Sequence, residues 1–179
     1  QAPNLNNDIA KILRETFGTS DKFNITVSNK YLIGATGSSS GQDNHGIINC
    51  NIILNDNMLK TASKEYILIT LYHEVIHCFF IVEKERLGEI GFKQKYPYVR
   101  QISLPVGNGN EERKYLLMNK HNEFGPFLEN LAQSILSLNP TFPIEKARAL
   151  AKEGVVEEYM FSSEEKEYIN EQKTVGGCN

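Results

Sequence analysis

The run LYHEVIHCFF, residues 71–80, places His73 and His77 four positions apart, with Glu74 beside the first, among otherwise apolar side chains. On a helix, four residues correspond to about 400° of rotation and about 6 Å of rise. Both imidazoles then leave one face and can reach a single ion. Glu74 lies one step round, within reach of a water on that ion. This HExxH spacing is the pattern of zinc hydrolases, in which the ion lowers the pKa of its water and the glutamate moves the proton. Three polar groups in an apolar helix are costly unless each has a partner. A bound ion accounts for all three at once, so Zn2+ is the expected cofactor and Glu74 the expected catalytic base.

A catalytic zinc takes three protein ligands and keeps one position open. The chain has four histidines in all. His45 sits in a Gly/Ser-rich stretch and reads as a solvated loop residue. His121, at the start of a helix expected from about residue 122, is the expected third ligand, with Glu123 and then Glu129 as its competitors. Tyr72, Tyr96, Tyr98, Tyr115 and Tyr159 include candidate donors to a developing oxyanion, and equally candidate packing residues. Cys78, followed by Phe79 and Phe80, reads as buried packing.

The elements that must hold these residues follow from periodicity. Leu5–Phe17 predicts a first helix closed by Gly18. Phe23–Gly34 reads as a strand or short hairpin, and Ala35–Gly46 as a loop by composition. Ile47–Asn55 places Ile48, Cys50, Ile52 and Leu54 on one face and predicts a strand. A central helix is expected from about Lys60 to Leu87, apolar on most faces and stopped by Gly88. Glu89–Arg113 reads as an irregular excursion with a hairpin near Val106–Glu111, and as the expected wall or lid of the site. Two helices, about 122–138 and 143–161, follow. The expected fold is α+β: a small, partly antiparallel sheet packed on the HExxH helix, with further helices behind. Residues 1–161 are expected to form one domain and 162–179 a loosely held tail.

Four stretches carry a resemblance: IILNDNML, ASKEYILITLYHEVIHCFF, KHNEF and ARALAKEGVVEEYMF. With them the chain, from about Tyr31 to Phe161, resembles the SprT-like zincin metallopeptidases. The resemblance implies a zincin-like fold, peptide-bond hydrolysis, Zn2+ held by His73, His77 and His121, and Glu74 as base. It also implies that an extended peptide pairs with a strand above the cleft, for which Ile47–Asn55 is the candidate. Two departures are plain. Gly125-Pro126 interrupts the helix expected to carry His121, and the four-cysteine zinc ribbon and basic tail of some relatives have no counterpart.

Composition bounds the alternatives. The 179 residues carry a net charge of -3 with 23% charged side chains, which gives no basic signature for nucleic acid. The expected partner is a peptide or protein substrate. Tyr66–Val82, the longest apolar stretch, is interrupted by His73, Glu74 and His77, so no membrane span is expected. The three cysteines show no CxxC spacing, which argues against a thiolate zinc site and allows one bridge at most. Gln1 in place of a start Met suits a processed chain and leaves a secreted or periplasmic location, or release from a larger protein, open. An inactive zinc-containing peptide-binding module is the alternative to a peptidase.

Overall fold

The computed structural model describes residues 23–97, 99–105, 111–117, 125–156 and 158–175. The helix expected at Leu5–Phe17, together with His121, Glu123 and Tyr98, lies outside the described residues. Strands β1 (Phe23–Lys30), β2 (Gly37–Asn44) and β3 (Ile47–Asn55) form a mixed sheet in the order β1-β3-β2. β3 is parallel to β1 and antiparallel to β2. Its alternation turns Ile48, Cys50, Ile52 and Leu54 into the core, as the pattern predicts.

β2 occupies most of the stretch whose composition predicts a loop. Packing decides the matter. A Cβ on Gly37 would lie 2.8 Å from Glu74 Oε1, and one on Gly41 would lie 2.5 Å from Ile81 Cγ2. Small residues let this strand lie directly against the central helix. His45 and Gly46, with φ of 55° and 85°, supply the two left-handed positions of a tight hairpin turn into β3. β1 ends opposite Asn55 and β2 begins opposite Leu54. Residues 31–36 therefore cross over the end of β3, a span of roughly 9.5 Å for two strand spacings.

Helix α1 (Asp56–Thr61) leads into α2 (Lys64–Lys95), which starts where Ser63 caps the Tyr66 N–H. Tyr66, Ile69, Tyr72, Val75, Ile76, Phe80 and Ile81 are among its buried residues, so it is the core helix. Its length and composition alone would suit a membrane crossing, yet 72% of the apolar window is buried inside the fold. Gly88 ends the first helical run as expected, with φ 68° and ψ 172°. Helix then resumes to Lys95, where the sequence predicts irregular chain. β4 (Val99–Pro105) and β5 (Glu111–Leu117) pair antiparallel and supply the expected hairpin.

Glu83 ties the resumed segment down. It is buried, and it accepts hydrogen bonds from Arg86 (2.8 Å), Lys95 (2.6 Å) and the Tyr96 hydroxyl (2.7 Å). Burial alone would raise its pKa, but the bonds from Lys95, Tyr96 and Arg86 outweigh it and hold the carboxyl below its usual value. A depressed folded pKa adds stability above the unfolded value, about 4.3, and loses it as pH falls through the folded value. Thermal midpoints measured from pH 6 to pH 3 should therefore fall less steeply below about pH 4.3 in Glu83→Gln than in the wild type.

Cys50 of β3 and Cys78 of α2 form a disulfide, with both residues fully buried. The sequence offers no spacing signal for this pair, because the contact depends on how the helix lies on the sheet. α3 (Gly125–Leu138) and α4 (Ile144–Lys152) close the core with Leu131, Ala132, Ile135, Ala147, Leu150 and Ala151. A 3-10 turn (Glu158–Met160) follows, and α5 (Ser163–Gln172) forms where the sequence reads as a loose tail. A complete Ser162/Glu165 capping box starts α5, and Ile169 is buried. At its far end the Gln172 carbonyl accepts from Ser63 N–H at 2.9 Å. The described residues thus show a mixed α+β fold, with a small three-stranded sheet and five helices.

Candidate metal centre

The helical spacing does what the motif requires. His73 Nε2 and His77 Nε2 lie 2.8 Å apart, and Glu74 Oε1 lies 3.7 Å from His73 Nε2. Among the described residues this trio is the one group whose donor atoms all fall within 4.8 Å of one another. His73 is 9% exposed, Glu74 1% and His77 1%.

The trio meets solvent through a cleft of about 540 Å³, within the range of ligand sites. His73 and Glu74 line it, and His77 sits deeper in the core. Ile69 and Thr70, one helical turn back, extend the floor. One wall is the crossing loop, residues 31–36 except Ile33, with Gly37 and Asn55. The other is the Glu153–Gly154 turn after α4, with Lys173. Tyr66 donates to Glu153 Oε1 at 3.4 Å, and Lys173 pairs with Glu153 at 2.9 Å. Burial first, and then the Glu153 charge, push the Tyr66 hydroxyl pKa far up, so it stays protonated.

Two glycines hold the trio like jaws. Gly37 meets Glu74 from β2. Gly154, at φ +70°, faces the His73 ring, where an added Cβ would lie 2.7 Å from Nδ1. Gly154→Ala combines a left-handed backbone penalty of about 1–2 kcal/mol with displacement of His73. Zinc affinity, measured against a competing chelator, should weaken at least roughly tenfold. Gly46→Ala carries a similar backbone penalty, since φ is +85° with nothing within 4 Å, and should leave that affinity unchanged.

Several expectations need correction. β3 is paired on both sides, so it has no free edge for a peptide. No described residue of 89–113 lines the cleft; the crossing loop forms that wall. The bonds of Arg148 hold Glu129 on the surface at 2.9 Å and 3.3 Å, away from the histidine group. Arg148, and then Gln133, keep its carboxyl below the usual range. Of the tyrosines, Tyr96 serves Glu83 and Tyr115 packs among Phe80 and Phe92. Tyr31, which the sequence did not single out, lines the cleft. Cys78 is buried as expected, but as half of a disulfide.

No family model, curated protein or solved structure matches this chain. Whether the trio suits a divalent ion is therefore judged from its own donors. Two imidazoles and a carboxylate are the donor types zinc accepts. Nitrogens bound to one tetrahedral zinc stand roughly 3.3 Å apart, so these two need only a small opening. His77 Nδ1 accepts a hydrogen bond from Tyr115 N–H at 3.2 Å. A neutral His77 ring then carries its proton on Nε2 and donates it to His73 Nε2. Loading an ion requires that proton to move to Nδ1 and β5 to yield slightly there. His73 already presents the right lone pair.

Proposed function

We propose that this chain is a zinc-dependent peptidase of zincin-like fold. Convergence of His73 and His77 beside Glu74, at the floor of an open cleft, carries the assignment. When bound, the ion would polarise a scissile carbonyl and acidify a water. Glu74 would serve as the base for such a water and as the acid for the leaving amine. Its near-complete burial strengthens such a transfer by excluding competing solvent. The cleft walls position an extended segment over the helix. His121 is the third ligand by resemblance, with Glu123 its competitor. It lies six residues along the chain from Tyr115 (115 to 121), whose N–H touches His77. The Cys50–Cys78 bridge supports work in an oxidising compartment.

Metal analysis of the pure protein tests the assignment. One zinc per chain should be found, and His121→Ala should retain well under half of it at micromolar free zinc. Full retention would pass the ligand role to Glu123. The second candidate is an inactive zinc-containing peptide-binding module. It draws support from the near-complete burial of Glu74 and His77, each 1% exposed, since structural zinc sites are closed. Peptide cleavage that stops on chelation and returns with zinc excludes it.

A further inference from the structure

We infer that the crossing loop, residues 31–36, selects the substrate, and that it selects an apolar side chain beside the cleaved bond. This rests on the peptidase assignment and deepens it. The loop forms the cleft wall facing His73 and Glu74, and its end continues into Gly37, which is packed on Glu74. Of its three large apolar residues, Tyr31, 58% exposed, and Leu32 line the cleft, while Ile33, 89% exposed, stands outside it. Tyr31 and Leu32 of the wall, with Ile69 on the floor, give the cleft an apolar side next to its polar centre.

The loop is held rather than loose. Asn55 is buried at the end of β3, and its side-chain amide donates both protons to the loop, to Leu32 O at 2.8 Å and Ala35 O at 2.6 Å. Asn55 N–H donates to Thr36 O at 2.9 Å. Its side-chain oxygen accepts from Asn57 N–H at 2.9 Å and so caps α1. The amide protons of this side chain are thus committed to the wall and its oxygen to the helix start. A wall already in its binding shape spends little conformational entropy on contact. Exposed apolar groups on such a wall gain by covering themselves with an apolar partner. A lysine or aspartate side chain gains nothing there and loses hydration. Asn55 acts here as a positioning residue, while Tyr31 and Leu32 are the contacts.

The test uses zinc-loaded protein and its Glu74→Gln variant, with a set of alanine-rich decapeptides whose central residue is Leu, Phe, Lys or Asp. Binding to the Glu74→Gln protein should favour Leu and Phe over Lys and Asp at least tenfold. Tyr31→Ser/Leu32→Ser added to that protein should reduce the preference to within about twofold. Ile90→Ser, which removes an exposed apolar side chain outside the cleft, should leave it intact. In the zinc-loaded wild type the same loop change should raise KM for the Leu peptide about tenfold with kcat within twofold, the signature of lost binding. Equal binding of all four peptides, or a preference that survives the loop change, overturns the inference even where peptides are cut. An intact preference in Glu74→Gln without cutting by the wild type overturns the peptidase assignment and leaves the loop's role standing.

Discussion

Glu74→Gln should lower peptide turnover by about 10²–10⁴-fold while leaving zinc content and thermal midpoint close to wild type. The size follows from the position. Glu74 is 1% exposed, and its Oε1 lies 3.7 Å from His73 Nε2. Glutamine keeps the shape and still fits beside Gly37, but it cannot take a proton. Bulk water reaches so buried a position poorly and replaces the base only in part. The decisive measurement is kcat at fixed, saturating zinc, with metal content determined on the same sample. Undiminished turnover would remove Glu74 from the chemistry. Loss of turnover together with loss of zinc would make it a ligand rather than a base.

Removing the Cys50–Cys78 bridge should cost about 3.5 kcal/mol. That is the chain-entropy value for a closed loop of this size, the two cysteines being 28 residues apart. For a chain of this length, such a loss lowers the thermal midpoint by roughly 10 °C. Cys50→Ala/Cys78→Ala followed by calorimetry gives the number directly. The bridge also adjoins His77, so it locks the turn of α2 that carries this histidine to β3. Weaker zinc binding in the variant is therefore expected alongside lower stability. Unchanged affinity would show that core packing alone sets His77. Because both cysteines are fully buried, mild reductant should leave the folded protein oxidised.

What could be read from sequence was local. His73, Glu74 and His77 are placed by a single helical turn, so their meeting needs no tertiary knowledge. Alternation in β3 and the left-handed stop at Gly88 are local as well. Errors came wherever a distant partner decides. Gly37 and Gly41 look like loop residues until α2 lies on them. β3 looks like an edge until β1 pairs on its far side. Cys50 and Cys78 carry no spacing that predicts their union. Glu89–Lys95 is helical partly because Glu83, behind the kink, holds Lys95 and Tyr96. The longer irregular stretch predicts the wall, whereas among the described residues five of the short crossing over β3 form it. Asn55 had a readable signal, an Asn directly before a helix, but only its cap could be inferred, not its grip on the loop.

That grip has a dynamic consequence. One carboxamide starts α1 and also fastens the lip above His73 and Glu74, so neither can open alone. Amide protons of residues 32–36 and of the first turn of α1 should exchange with solvent as one cooperative unit, distinct from the slower core of α2. A bound peptide pressing on the lip would then quiet the whole start of α1, beyond the Asn57 side that lines the cleft.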